Sequence, residues 1–175
     1  MSILNGTPAT ALIESAVPNV VVIEASPGAE FDAVLDIRCR VFGVEQGMIE
    51  QRASDQDDRR SLQALAFCEI DGEYRPAGTG RLTLNAGERG EALISWVATL
   101  PAARHLGVGR AVMQYLMDYA DAEGVQIIAL AAQMHAEAFY LKLGFAGTGR
   151  TYFVQGVEHR WMVRRNPRRG FRFGR

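Results

Sequence analysis

The stretch RHLGVGRA, residues 104–111, lies between an apolar run and a long amphipathic segment. The run before it, 93–98, predicts a strand, and 108–123 repeats apolar residues at helical spacing. Two glycines and two arginines therefore stand where a strand passes into the N-terminus of a helix. Such a terminus favours an anion, because its first backbone N–H groups lack helical partners and the helix dipole is positive there. The two glycines would let a bulky diphosphate approach the backbone, since no Cβ intervenes.

Two better-known phosphate-binding patterns do not fit these residues. A dinucleotide-binding loop has G-x-G-x-x-G after the first strand and an acidic residue about 20 positions later. Here Val112 takes the place of the third glycine, and the stretch lies past the middle of the chain. A nucleoside-triphosphate loop ends in Gly-Lys-Ser/Thr, and the one lysine of this chain is Lys142. For these eight residues alone, one alternative remains: a glycine-containing turn before a helix that binds no ligand.

A second motif, YLKLGF at residues 140–145, ends a later helical segment. Together, R-x-x-G-x-G-R-A and Y-x-x-x-G-F resemble the GNAT superfamily of acyl-CoA-dependent N-acetyltransferases, and the resemblance covers roughly residues 20–163. R-x-x-V-F-x-x-E-Q at 38–46 and G-V-E-H-x-x-M at 156–162 are similar to a subgroup of small bacterial members.

The resemblance implies the GNAT fold. This is an α/β (α+β) architecture with a mixed central sheet of about seven strands, splayed at the cofactor site and flanked by helices. The elements predicted from the sequence follow the matching order β-α-β-β-β-α-β-α-β-β. Among them, Glu30 to Phe42 is an amphipathic helix, Asp71-Gly72-Glu73 marks a hairpin turn, and Ala77 to Leu84 is the strand after it. The apolar run from Val125 to Ala132 predicts a strand buried on both faces.

In this family the first motif wraps the pyrophosphate of coenzyme A, and the pantetheine arm pairs with the strand before it. The resemblance therefore implies acetyl-CoA as co-substrate, with direct attack by a primary amine in a ternary complex. The residues implied for cofactor binding are Val97, Ala98, Thr99, Arg104, His105, Leu106, Gly107, Val108, Gly109, Arg110, Ala111 and Gln133. At Gln133 many members have an asparagine, which is one methylene shorter.

Tyr140 and Glu45 are the catalytic residues that the resemblance implies. Tyr140 matches the family tyrosine near the thioester sulfur, where a phenol would donate a proton to the departing thiolate. Many members carry a glutamate base on the strand that here contains 94–97, and this chain has none there. Glu45 is the first substitute, because the family uses its segment to line the acceptor pocket. His159 and a water relay are the other candidates for the base.

Composition places the chain among soluble globular proteins. A length of 175 residues fits one domain, and 48% hydrophobic residues with a net charge of −1 are ordinary values. The sequence has no run of membrane-spanning length and no signal-peptide pattern, so we expect a cytoplasmic protein. Two cysteines and three scattered histidines predict neither a disulfide framework nor a metal site.

We expect a flexible leader over 1–19, an N-acetyltransferase domain over 20–164 and a basic tail over 165–175. Six arginines fall in the last twelve positions, so removing their six charges changes the net charge from −1 to −7. Such a tail is more often a solvated chain end than a nucleic-acid site. The acidic residues from Glu45 to Asp58 are likewise more typical of a solvated face than of a substrate-binding surface. The expected partner is a small-molecule or peptide amine, with no nucleic acid and no membrane; a homodimer is open, because dimers are common in the family.

Two other functions stay open. One is a module that senses acyl-CoA without turnover, which the missing strand carboxylate favours and Tyr140 opposes. The other is an acyltransferase with a longer acyl donor. The acyl-homoserine lactone synthases share this fold and an early Arg-x-x-Val-Phe, but they lack a well-formed R-x-x-G-x-G loop.

Overall fold

The computed structural model of the chain describes residues 13–14, 17, 19–48, 53–86 and 90–166. Its strands are β1 (Ile13–Glu14), β2 (Val20–Glu24), β3 (Leu62–Ile70), β4 (Glu73–Thr83), β5 (Ala92–Thr99), β6 (Ile127–Gln133), β7 (Ala146–Val154) and β8 (Val157–Arg165). Its α-helices are α1 (Ala29–Arg38), α2 (Val108–Ala122) and α3 (Glu137–Leu141). A π-helix (Cys39–Glu45) continues α1, and 3-10 turns span Gln56–Arg60, Pro101–Ala103 and Met134–Ala136. Most of the predicted leader, and the predicted tail from residue 167 onward, lie outside the described residues.

The strands form one open, mixed sheet in the order β1-β2-β3-β4-β5-β6-β8-β7. Neighbouring strands are antiparallel except for β5 and β6, which run parallel because α2 crosses between them. This confirms the expected GNAT fold, a mixed sheet of about seven strands flanked by helices. The additional strand is β1, whose two residues are too few to show an alternating pattern in the sequence.

Helices cover both faces of the sheet. Adjacent residues of β3 show this, because neighbouring side chains of a strand point to opposite faces. Ala64 belongs to the larger core, with Leu116 of α2. Leu65 belongs to a second core, with Ile37 of α1. The α2 face and the α1 face are named after these helices. In the described ranges no helix is long and apolar enough to span a membrane.

The hairpin between β3 and β4 forms at the predicted turn. Asp71 and Gly72 have φ values of 54° and 80°, and two consecutive positive values are typical of the type I′ turn that Asp-Gly favours. β4 begins at Glu73, before the predicted start at Ala77, because Glu73 pairs with Ile70 across this turn.

The predicted helix over 30–42 proves to be two elements. α1 ends at Arg38, and the chain continues as a π-helix to Glu45. The apolar spacing did not reveal the change from α-helix to π-helix. Ile37 lies before the junction and Val41 after it, but both are buried in the same core on the α1 face. π-Helical turns are frequent at functional sites.

β5 contains one residue more than the stretch of β4 opposite it. Arg81 pairs with Ser95 and Thr79 with Ala98, so Trp96 lies in a β-bulge, and its φ is 55°. An extra residue shifts the alternation of the strand by one. Ile94 therefore packs on the α2 face, whereas Ala98 packs on the α1 face.

The packing of α2 on β4 generates a testable prediction. A Cβ at Gly80 would lie 2.8 Å from Cγ1 of Val112 and 3.0 Å from Cδ1 of Leu116, both on α2. We expect Gly80→Ala to lower the free energy of unfolding by about 1–3 kcal/mol through overpacking. Urea unfolding measures this loss, and Val112→Ala in the same chain should recover part of it. Equal stability of Gly80→Ala and the wild type would contradict the close approach.

Candidate active site

The sheet opens between β5 and β6. Their parallel pairing runs from Ala92 with Ile128 to Ile94 with Leu130 and goes no further. A cavity of about 640 Å³ lies beyond this point, and the residues of β5 from Leu93 to Thr99 line it. Among the described residues β5 has no strand partner on this side past Ile94, so its outward backbone N–H and C=O groups there are available to a ligand.

Both faces of the sheet contribute side chains to this cavity. Tyr140 lines it and belongs to the core on the α2 face. Phe42 of the π-helix lines it too and packs with the core on the α1 face. The opening therefore passes through the sheet, which suits a site where two substrates meet from opposite sides.

The predicted diphosphate site adjoins this opening. Gly107 is the N-cap of α2, in a left-handed conformation with φ 84°, and no side chain of the described residues caps the helix. A Cβ at Gly107 would lie 2.5 Å from Cγ1 of Val17, so glycine is required there. A Cβ at Gly109 would make ordinary van der Waals contacts, 3.4 Å from Oγ1 of Thr99 and 3.6 Å from Cζ of Phe139. The uncapped N–H groups of the first turn are thus left for an anion.

The other residues predicted in this loop differ in what they can offer. Val108 and Ala111 are buried in the core, so only their backbone groups can meet a ligand. His105, Leu106 and Arg110 are exposed around the helix terminus. The guanidinium of Arg110 is the side chain of these three suited to a phosphate.

Arg104 and Glu45, predicted for cofactor binding and for the base, form an ion pair at the cavity. Nη2 of Arg104 lies 2.5 Å from Oε2 of Glu45, and Nε of Arg104 donates to the carbonyl of Thr99 at 3.3 Å. The hydrogen bond from Arg104 lowers the pKa of the Glu45 carboxyl. A carboxylate held in this way is a weaker base than a free one.

Gln133, also predicted to bind the cofactor, spans part of the cavity wall. Its Nε2 donates to Oε1 of Gln46 at 2.9 Å and lies 3.1 Å from Sδ of Met48. Gln133 therefore ties the end of β6 to the segment that follows the π-helix.

Tyr140 is packed between two aromatic rings, with edge-on contacts to Phe139 at 5.1 Å and Phe145 at 6.1 Å between ring centroids. The side chain is buried, and burial raises the pKa of its phenol to about 12. The hydroxyl therefore stays protonated at neutral pH, so it can donate a hydrogen bond.

A buried charged network, which the sequence did not reveal, lies behind the cavity. Arg38 is fully buried, and its guanidinium contacts Asp58 at 2.9 Å and lies over the ring of Trp96 at 5.1 Å. Arg81, 3% exposed, contacts Asp58 at 2.8 Å and Asp55 at 2.6 Å. Asp55 in turn accepts a hydrogen bond from Nε1 of Trp96 at 3.2 Å. Two cations and two anions thus hold the bulged residue of β5 in place.

The expectation of a solvated acidic face is wrong at Asp58, whose side chain is only 6% exposed. Burial raises the pKa of Asp58, but the backbone N–H of Asp55 and the guanidinium groups of Arg81 and Arg38 outweigh it, so the net shift is downward. One sequence signal could have revealed this network. Arg38 and Arg81 lie within elements predicted to be buried, and buried cations need carboxylate partners.

Comparison with known proteins agrees with this geometry. The sequence pattern of the Acetyltransferase (GNAT) family matches residues 31–145. The fold is similar to that of a Lactobacillus plantarum protein provisionally assigned as an N-acetyltransferase, with a TM-score of 0.72, 23% identity and coverage of 84% of this chain and 98% of that one. It is also similar to an acyl-CoA N-acyltransferase from Pseudomonas aeruginosa, with a TM-score of 0.67, 26% identity and coverage of 83% and 97%. The Bacillus subtilis protein YyaT is 27% identical over 136 residues, which span 78% of this chain and 89% of YyaT. The chain therefore belongs to the Acetyltransferase (GNAT) family.

The charged network generates a second prediction. Asp58→Asn leaves the guanidinium groups of Arg38 and Arg81 with too little negative charge, so the free energy of unfolding at pH 7 should fall by about 3–5 kcal/mol. Folding lowers the pKa of Asp58 below its usual value of 3.8. In the wild type, the stabilisation by ionised Asp58 is therefore fully present above pH 3.8 and is lost as the pH falls through the lowered pKa of the folded state. The stability of Asp58→Asn does not change with pH on this account, because asparagine does not titrate.

Denaturant unfolding at pH 7 and below pH 4 measures both effects. Asp57→Asn is the matched control, because Asp57 lies in the same turn but pairs with the exposed Arg60. Equal loss of stability in the two variants would contradict a special role for Asp58.

Proposed function

We propose that this protein transfers an acetyl group from acetyl-CoA to a primary amine, by direct attack within a ternary complex. The observation that carries the proposal is the opening of the sheet between β5 and β6, next to the uncapped N-terminus of α2. The open edge of β5 offers backbone hydrogen-bonding groups to an extended, amide-containing arm. The N-terminus of α2 offers N–H groups to a diphosphate. Coenzyme A carries both chemical features in one molecule.

In this proposal, the backbone of β5 at Val97, Ala98 and Thr99 binds the pantetheine arm in place of the missing strand. An N–H group of the same segment polarises the thioester carbonyl. The N–H groups at the start of α2 bind the diphosphate, with Arg110 and Arg104 adding positive charge.

Tyr140 stabilises the leaving group. A phenol with a pKa of about 12 is a weaker acid than a thiol, whose pKa is about 8.5 for cysteine. Its O–H therefore donates a hydrogen bond to the departing thiolate more readily than it gives up its proton. The amine nitrogen must lose a proton as the new bond forms, and the cavity lining includes three side chains that can accept it: Glu45, His135 and His159.

A sensor that binds acyl-CoA without turnover is the second candidate function. The ion pair between Glu45 and Arg104 favours it, because the predicted base is engaged. The cavity beyond the thioester position opposes it, since a sensor needs no space for an acceptor.

The test is thiol release from acetyl-CoA across a panel of primary amines: 2-phenylethylamine, spermidine, lysine, an aminoglycoside and a peptide with a free N-terminus. We expect turnover with at least one amine. In Tyr140→Phe, kcat should fall by about 10- to 100-fold, the equivalent of one hydrogen bond to a charged group, with the Kd for coenzyme A unchanged.

Tyr74→Phe is the matched control, because Tyr74 is exposed on β4, away from the cavity. Saturable binding of acetyl-CoA without turnover of any amine would favour the sensor. No saturable binding would overturn both functions.

A further inference from the structure

We infer that His159 is the base that takes the proton from the acceptor nitrogen, through Nε2, which makes no hydrogen bond within the described residues. The inference rests on the proposed function and assigns one step of it to one atom. Four features of the structure lead to it: the position of His159, its tautomer, its rigidity and its place relative to Tyr140.

His159 lies where the sheet opens. It pairs in register with Gln133, the last residue of β6, and its side chain lines the cavity although it is only 7% exposed. A group in this position is reached from the cavity and is otherwise shielded from water. Proton transfer there would not compete with bulk solvent.

The tautomer of His159 is set by the backbone. Nδ1 lies 2.9 Å from the carbonyl oxygen of Val157. A carbonyl oxygen can only accept a hydrogen bond, so Nδ1 carries the hydrogen. In the neutral ring Nε2 then holds the lone pair, which is the state that a general base requires.

Neighbouring rings hold the imidazole in place. Tyr152 stacks on it, with ring centroids 5.9 Å apart and an angle of 20° between the planes. Trp161 packs against Tyr152 in turn, with centroids 6.5 Å apart. Tyr152 and Trp161 also line the cavity, so the base stands within an aromatic wall that fits an apolar part of an amine.

His159 and Tyr140 reach the cavity from opposite faces of the sheet. The neighbours of His159 along β8 show this: Met162 joins the core on the α2 face, and Arg160 contacts Glu137 of α3 at 2.6 Å. Side chains alternate along a strand, so His159 points to the other face, away from Tyr140. An amine can therefore attack from the side of His159 while the thiolate leaves on the side of Tyr140.

The nitrogen lone pair forms a bond to the thioester carbon, and the π electrons of the carbonyl move to its oxygen. Nε2 of His159 accepts the proton that the nitrogen can no longer hold. The carbonyl then re-forms, the carbon–sulfur bond breaks with its electrons on sulfur, and the proton on His159 returns to the thiolate through solvent. The products are the N-acetylated amine and the free thiol of coenzyme A.

Glu45 is less suited to this step. Its carboxylate is engaged by Arg104 at 2.5 Å, and that contact lowers its pKa. Both side chains of the pair are more than one third exposed, so the carboxylate also stays hydrated.

The test compares His159→Asn with the wild type, using acetyl-CoA and the panel amine that the wild type acetylates fastest. The amide N–H of asparagine can replace Nδ1–H as the donor to Val157, but asparagine has no equivalent of Nε2. We expect kcat/KM to fall by about 100-fold or more, with the Kd for coenzyme A within twofold of the wild type. Glu158→Gln is the control, since Glu158 is the adjacent residue on β8 and points to the opposite face.

Three results would overturn the inference. One is full activity in His159→Asn, and another is a larger loss in Glu45→Gln than in His159→Asn. The third uses the folded wild type alone: nitrogen-15 NMR of its histidines should show His159 with hydrogen on Nδ1, and hydrogen on Nε2 in the neutral ring would contradict the assignment. Absence of turnover in the wild type with every amine would instead overturn the proposed function, and the inference with it.

Discussion

The bulge at Trp96 is the constraint on which the rest of the site depends. One extra residue in β5 turns the end of the strand away from β6, so their pairing stops at Ile94. The positive φ of a tryptophan there is unfavourable for the backbone alone and persists only where the surroundings hold it. Arg38 and Asp55 supply that hold, through contact with the indole ring and a hydrogen bond to its nitrogen.

The buried charges act on geometry more than on stability. Removing two arginines and a carboxylate from water is costly, and replacement of such groups by apolar residues is often neutral. Their hydrogen bonds fix the relative positions of neighbouring elements. The planar guanidinium of Arg81 contacts Ser95 of the bulged strand at 3.0 Å, and it also contacts Asp55 and Asp58 of the neighbouring turn. The turn, the bulge and the end of α1 thereby take one fixed arrangement on the α1-face side of the cavity.

Local patterns in the sequence predicted much of this structure, and long-range contacts account for what they missed. The glycines of the loop before α2, the Asp-Gly turn and the order of strands and helices are signals within a few neighbouring residues. The bulge in β5 and the ion pair of Arg104 with Glu45 join residues far apart in the chain, and no local pattern encodes such pairing. The π-helix was not predicted for another reason: its apolar positions continue those of α1 without a break.

The central claim is that coenzyme A binds as the missing strand beside β5 and against the first turn of α2. Hydrogen exchange of backbone amides, measured with and without saturating coenzyme A, tests it most directly. The account predicts slower exchange in residues 97–99 and 107–110, with little change at the distant β3–β4 turn. Unchanged exchange in both segments, with coenzyme A bound, would contradict the account.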